Sequence, residues 1–529
     1  MNNEKLRIGL PLLIAVSIVT GMFLGYQLRD RMPWNNNSNS QSVGSPLDEV
    51  IDLIETRYVD DVNTDSLTNV SIESIVSHLD PHTQYIPAED VEGINEDLEG
   101  RFVGIGIEFE LLDDTVHIIH IIQNGPSEKA GLKTGDKLIK VDNLSVTGKR
   151  ITTDSIKGLV KGAINSKVNI TILRSGETKL FTISRNFIPL VALDAAYMLM
   201  PSIGYIRLNK FSETTYEEFM SALEKLQQSG LKDLVLDLRG NGGGMLNEAI
   251  EMADEFLGGD KLIVYTQGSH LAKKEYKGRR RGLFEEGKLV VLLDEGSASA
   301  SEVLAGALQD WDRATIIGRR SFGKGLVQEQ YDLSNGAALR ITVARYFTPL
   351  GRSIQKSYTN GNESYNEEIF SRFHHNNMIS DTIIAAKGKQ FTSPNGKKLY
   401  AEYGIQPDIY VQFDTSSIDF KLTDIYEKNT LNNFIYKYYI SNHDTFDQYK
   451  NVEDFDNGFQ VTPIIYNKLI DFVKHDQLEL PIFTGEEKKV FFIRLKSLFA
   501  QQIWQQEGYY KVLNATDPIV LKAIEKIKH

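Results

Sequence analysis

The sequence predicts an α/β protein with a separate β-rich domain ahead of its core, helices at its N-terminus and a helical C-terminal extension. Three observations predict this. After Pro189, short apolar strands alternate with amphipathic helices, the pattern of an α/β layer. Before it, residues 99–187 read as alternating strands separated by glycine turns. From residue 416 onward, Tyr, Phe and Lys recur at helical spacing with no internal repeat and no catalytic motif. The 529 residues fit three to four domains. With 71 acidic against 58 basic side chains, the net charge of −13 argues against a general nucleic-acid surface. The absence of cysteine excludes disulfides, thiolate nucleophiles and Cys-ligated zinc. The histidines show no metal-ligand spacing, so neither a metal nor a cofactor is expected.

Taken in order, residues 8–28 carry no charge and are mostly apolar, and a spanning helix needs roughly 20 such residues. No Ala-x-Ala-like cleavage site precedes Trp34, and no cysteine offers a lipid anchor. Residues 1–29 therefore read as an uncleaved signal anchor rather than a cleaved signal peptide. A cytoplasmic N-terminus with the bulk outside is the default orientation. Residues 30–45 form a polar linker. Residues 46–98 form an N-terminal helical region: Leu47, Val50, Ile51, Ile54 and Tyr58 fall on one helical face. A second helix is expected over 71–79, ended by Asp80-Pro81.

In the β-rich domain, residues 102–107 lead into strands, and Asn124-Gly125-Pro126 makes a turn. A short helix is expected over 127–132, a turn over 133–136, a helix over 151–163 and a strand over 167–173. In the core, 188–415, strands are expected over 204–208, 233–238, 261–266 and 289–294, with helices over 215–228, 246–257 and 302–311. Residues 416–529 form the extension.

Three segments carry candidate chemistry. In Asp237-Leu238-Arg239-Gly240-Asn241-Gly242-Gly243-Gly244 a strand runs into glycines and then a helix. Such a turn can be a plain connection, an anion cradle or a backbone oxyanion hole. The spacing is not GxGxxG and no Walker lysine follows, which argues against a nucleotide. In Glu295-Gly296-Ser297-Ala298-Ser299-Ala300-Ser301-Glu302, small residues at a strand–helix junction fit either a nucleophile elbow or a serine-rich N-cap. In Ser321-Phe322-Gly323-Lys324-Gly325, a lysine between glycines can approach a packed site, or it can lie on an exposed loop. Ser353-Ile354-Gln355-Lys356 and Lys133-Thr134-Gly135 match SxxK and KTG, but in the wrong order and without SDN. Between residues 189 and 355 the only histidine is His270, in a polar stretch before the basic run 273–281, which reads as a solvated loop. A Ser-His-Asp triad does not fit.

Together these segments resemble the C-terminal processing peptidases, or tail-specific proteases, of serine peptidase family S41. The resemblance covers residues 45–415 and rests also on Asp80-Pro81-His82-Thr83, Gly104-Ile105-Gly106-Ile107, GRRSFGKGLVQ (318–328), TPLGRSIQ (348–355) and GIQPD (404–408). It implies a crotonase-like protease core over 188–415 and an inserted PDZ domain over 99–187. It implies Ser299 as nucleophile, Lys324 as base and Gln328 as the residue that orients the base. The backbone N–H groups of Ala300 and Gly243 are then the oxyanion donors. Val103, Gly104, Ile105, Gly106 and Ile107 would bind a substrate's C-terminal carboxylate, with the tail pairing beside the next strand.

The expected function is that of a membrane-anchored serine endopeptidase processing or degrading envelope proteins from their C-termini. It would sit single-pass in the inner membrane, with its protease domain in the periplasm or outside. Partners implied are protein substrates with accessible C-termini, an activating adaptor protein and a second copy through the N-terminal helices, with no nucleic acid. The rival readings are a catalytically inactive PDZ scaffold of the envelope and an acyl hydrolase of small esters. The extension has no counterpart in the compact family core.

Overall fold

The computed structural model describes residues 45–374, 388–412 and 422–529. The expected anchor over 8–28 lies outside the described residues. Among the described residues no helix is long and apolar enough to cross a membrane. The chain divides into two units, residues 1–72 and 73–529. In the first, the helix Pro46–Arg57 starts from a capping box between Ser45 and Asp48. The second predicted helix begins earlier than its apolar spacing suggested. It runs Thr64–Ser77, because Asn63 accepts a backbone bond from Ser66 at the entry.

The core of the second unit is a six-stranded sheet in the order Leu193–Met200, Ile203–Leu208, Asp233–Asp237, Leu289–Leu293, Thr315–Gly318, Ile409–Tyr410. The first pair is antiparallel and the rest are parallel. Parallel strands bury both faces, and alternate residues of each strand divide between two layers here. Leu234, Leu236, Leu289, Val291 and Leu293 pack against the helices Thr215–Gln228, Leu246–Phe256 and Ala300–Asp310. Val235, Val290, Leu292 and Ile317 pack with the C-terminal helix Pro518–Lys528.

A second sheet, order Gln84–Ile86, Ala338–Phe347, Leu262–Gln267, Lys274–Lys277, adds Leu326–Asp332 to the strand Ala338–Phe347. It places part of the basic run in an edge strand instead of the expected loop, since residues 274–277 pair with residues 262–266. The hairpin 326–347 carries a bulge between Val327 and Gln328, which re-aims the glutamine relative to the ladder.

The β-rich domain is a separate sheet of six strands closed by the helix Thr153–Val160, with Ile118, Leu138, Ile156 and Ile170 fully buried. Its entry and exit strands, Arg101–Gly104 and Asn186–Pro189, pair antiparallel and so fasten the domain at its neck. The extension is helical, with an aromatic core that includes Phe455, Phe491 and Phe499.

Candidate active site

Strand Leu289–Leu293 delivers the serine-rich junction, and the helix starts at Ala300, two residues earlier than predicted. Ser299 takes the N-cap position with φ 55° and ψ −114°. A non-glycine residue held there stores roughly 1–3 kcal/mol of backbone strain. Its neighbours pay for it. The Ser297 hydroxyl donates to the Leu238 carbonyl at 2.8 Å, and the Ser301 hydroxyl donates to the Asn241 carbonyl at 2.9 Å. Ala298 N–H also donates to that carbonyl, at 3.0 Å. The junction is thereby fastened to the glycine turn.

The turn meets the junction closely. Gly243 has φ +96°, and a Cβ there would fall 2.7 Å from Ser299 Cβ and 2.9 Å from the Ala300 nitrogen. Only glycine tolerates both the conformation and the approach. The Gly243 N–H itself donates to Asn241 Oδ1 at 2.9 Å. Ala300 N–H, in the first turn of its helix, has no acceptor among the described residues.

Lys324 Nζ donates to Gln328 Oε1 at 2.9 Å, and Gln328 Nε2 donates to the His82 carbonyl. Asp80 shapes that loop by accepting from His82 N–H, Thr83 N–H and the Thr83 hydroxyl. The DPHT segment thus supports the residue that holds the lysine. Burial lowers the Lys324 pKa and the Arg340 charge lowers it further, against Glu302 and Asp80. The like charge is therefore Arg340. Arg319 and Arg320, nearer in sequence, are instead paired with Glu295 at 2.8 Å and with Glu368 at 2.8 Å. A cavity of about 650 Å³ opens beside Lys324, with Phe322, Ile369, Ala298, Gly242 and His82 in its wall.

Nucleophile and base candidates are joined through Glu302, in the first turn of the helix that begins at Ala300. Its side chain is fully buried. Oε2 accepts from Ser299 N–H at 2.9 Å and from Lys324 N–H at 2.8 Å, while Oε1 accepts from Gly323 N–H at 2.7 Å and from the Ser321 hydroxyl. Burial pushes this carboxyl up to about 7 against the pull of those four donors. The spacing of three from Ser299 signals a capping box, but the partners in residues 321–324 lie on a separate loop that the spacing does not reveal.

Among the described residues no hydrogen bond joins Ser299 Oγ to Lys324 Nζ. The Ser299 hydroxyl interacts with the Tyr346 phenol, which burial raises to about 12 and Ser299 pulls down. His82, in the same cavity, is lowered to about 4 by burial and by the Lys324 charge, and its Nε2 lies 2.8 Å from the Tyr365 hydroxyl.

In the β-rich domain, Val103 and Gly104 pair with Phe187 and Asn186, and Ile107 pairs with Ile121. Ile105 and Gly106 occupy the gap between these strands. The Ile105 carbonyl accepts from Ser127, and Gly106 has φ +77°. Their N–H groups have no acceptor among the described residues. Such a pair of backbone donors can take a carboxylate.

Peptidase family S41 matches residues 202–365, a PDZ domain family matches residues 103–184, and a family of unknown function (DUF8443) matches residues 421–505. The carboxy-terminal-processing protease of Bartonella bacilliformis is 34% identical over 349 residues, covering 64% of this chain and 80% of the relative. A probable CtpA-like serine protease of Staphylococcus aureus is 32% identical over 357 residues, covering 65% of this chain and 70% of its own. A solved photosystem II D1 C-terminal processing protease is 26% identical with a TM-score of 0.35, covering 69% of this chain and 86% of that one.

Proposed function

Because the chain belongs to the carboxy-terminal-processing proteases of peptidase family S41 and is a serine-type peptidase with a PDZ domain, we propose that Ser299 and Lys324 are its catalytic pair. Gln328 orients the lysine. The observation that supports this most is Glu302, whose one oxygen takes the backbone N–H of both Ser299 and Lys324.

In this reading neutral Lys324 Nζ removes the Ser299 proton as Oγ attacks the scissile carbonyl carbon. Ser299 Oγ turns from Tyr346 toward Lys324 when substrate binds, as catalytic hydrogen bonds often tighten only in the complex. The tetrahedral oxyanion takes the Ala300 N–H and one N–H of the glycine turn. Gly243 would serve after releasing Asn241. The C–N bond then breaks, and the Lys324 ammonium returns its proton to the leaving amine. Water next attacks the Ser299 ester, again losing its proton to Lys324, and the serine is restored.

The PDZ domain would hold the substrate's C-terminal carboxylate on the N–H groups around Gly104–Ile107. Residues 8–28 would anchor the protease at the inner membrane with its catalytic unit outside, where envelope proteins with free tails are substrates. A second copy through the N-terminal helices and an activating adaptor belong to the same reading. The test is casein hydrolysis by the full chain against Ser299→Ala, joined to calorimetry of one tail peptide as acid and as amide. We expect the variant to be inactive and the amide to bind more weakly. An active, folded Ser299→Ala overturns the catalytic pair, and equal affinity overturns the carboxylate reading.

A further inference from the structure

The helical extension touches both other parts of the second unit along one short stretch of chain. The helix Gly485–Asn514 passes the PDZ strand Thr115–Ile121, where Gln502 Nε2 donates to the Ile119 carbonyl at 3.1 Å and Gln505 Nε2 meets His120 Nδ1 at 2.8 Å. The helix is broken at that contact: Trp504 and Gln505 leave helical geometry, and Gln505 has φ 56° and ψ −154°. A non-glycine residue held in that region marks a site that the surroundings over-determine.

The same helix then reaches the core sheet. The Tyr510 carbonyl accepts from the Tyr197 hydroxyl at 3.1 Å, and its ring lies 4.4 Å below the Arg207 guanidinium. Asp517 follows, at the N-cap of the helix Pro518–Lys528, accepting from Ile519 N–H and Val520 N–H. Its other oxygen accepts from Arg239 Nη1 at 2.8 Å. Arg239 also forks onto the fully buried Asp237, and its carbonyl accepts from Arg207 Nη2 at 2.8 Å. Arg239 stands immediately before Gly240, at the head of the glycine turn.

We infer that residues 502–517 form a brace between the PDZ domain and the glycine turn, in which Gln502 and Gln505 fix the PDZ strand and Asp517 is a positioning residue acting through Arg239. The PDZ domain is also held by the two-stranded neck, by Lys161 on Glu96, and by the extension helix Thr430–Ser441, where Lys437 pairs with Asp113 and Tyr436 meets His117. Residues 502–517 are the stretch that links it onward to the glycine turn, which must keep its N–H groups aimed at the junction. The catalytic consequence rests on the reading of that turn as oxyanion donor. The restraint on the PDZ domain does not.

Two measurements on the full chain test the brace. Because the chain has no cysteine, spin labels at Leu180→Cys in the PDZ domain and Leu271→Cys in the core report one distance by pulsed electron paramagnetic resonance. A narrow distribution is expected in the parent and a broad one in Gln502→Ala/Gln505→Ala. For the second end, Asp517→Asn is diagnostic, since asparagine caps a helix as well as aspartate does but carries no charge for Arg239. On a short internal peptide with a blocked C-terminus, kcat should fall about tenfold with KM and melting temperature unchanged, and Asp517→Glu should recover part of it. An unchanged distance distribution, or an unchanged kcat in Asp517→Asn, overturns the brace. If Ser299→Ala is also active, the catalytic reading has failed instead, and the distance measurement still decides the restraint.

Discussion

At the scale of single residues, the mechanism turns on whether Lys324 can be neutral when it meets Ser299. A free lysine, with a pKa of about 10.4, is almost wholly charged at neutral pH. Burial first, and Arg340 second, lower it here. The neutral form is the base and accumulates above the folded pKa, so kcat/KM should rise with pH through a value below the ordinary lysine range. A pH–rate profile checks this. Lys324→Arg keeps the charge and loses the basicity, and near-normal turnover by that folded variant would end the Ser–Lys mechanism. The three serines of the junction divide just as sharply. Ser297 and Ser301 are fully buried and spend their hydroxyls on the carbonyls of Leu238 and Asn241. Each carbonyl keeps a second donor, Asn241 N–H on Leu238 and Ala298 N–H on Asn241. Each alanine replacement should therefore cost about 0.5–1.5 kcal/mol of stability for the one lost hydrogen bond, yet keep partial activity. Ser299→Ala should leave stability little changed and abolish cleavage. Chemical denaturation and casein hydrolysis on the three variants separate these outcomes.

At the scale of elements, the site is two strand–helix and strand–strand connections pressed together, and Gly243 is where they touch. Gly243→Ala puts a Cβ within 2.7 Å of Ser299 Cβ at a φ of +96°. The turn must retreat, carrying its N–H groups from the junction. Activity should fall at least 100-fold, on the scale of losing an oxyanion donor, while circular dichroism stays native. Full activity in that variant would mean the turn is not part of the site. The connections were legible in the sequence because small residues mark them: DLRGNGGG, SASASE and SFGKG each announce a tight, exposed backbone. What supports them was not. Gln328 hangs on the His82 carbonyl, and Glu302 reaches residues 321–324, across long separations that no local spacing encodes. The hairpin 326–347 was also missed, although Asn335-Gly336 sits at its turn. Its first strand buries only Leu326, so it lacks the apolar run that marks the core strands. The helix Asn362–His374 over residues 320–322 escaped notice for a related reason. It is held by Glu368 and Arg372, with Arg372 donating to the Arg320 and Ser321 carbonyls, and by the buried Tyr365 ring against Phe322 and His82, so long-range partners fix its place.

At the scale of the whole molecule, the sequence said that a second layer must exist without saying what it was. A strand such as Leu289–Leu293, apolar at every position, needs cover on both faces. The helices between the strands supply one face. The other is covered by Pro518–Lys528, more than 200 residues downstream, whose Ile519, Val520, Ala523 and Ile527 meet Val235, Val290, Leu292 and Ile317. Lys288 Nζ adds a bond to the Ile527 carbonyl at 2.6 Å. Burying Ile519, Val520 and Ile527 contributes about 5–9 kcal/mol at roughly 1.5–3 kcal/mol for each side chain. That is an upper value, because an unfolded chain already hides part of this surface. Even so, it compares with the whole margin of a folded domain, about 5–15 kcal/mol. A chain ending at residue 514 should therefore expose the sheet face and be recovered mainly as aggregate, although every residue of the catalytic site is present. Ile527→Ala in the full chain should be soluble and less stable by about 2–4 kcal/mol, read from chemical denaturation. A truncated chain that stays soluble, with an unchanged midpoint and full peptidase activity, would show that the helix only decorates the core and that the sheet finds its cover elsewhere.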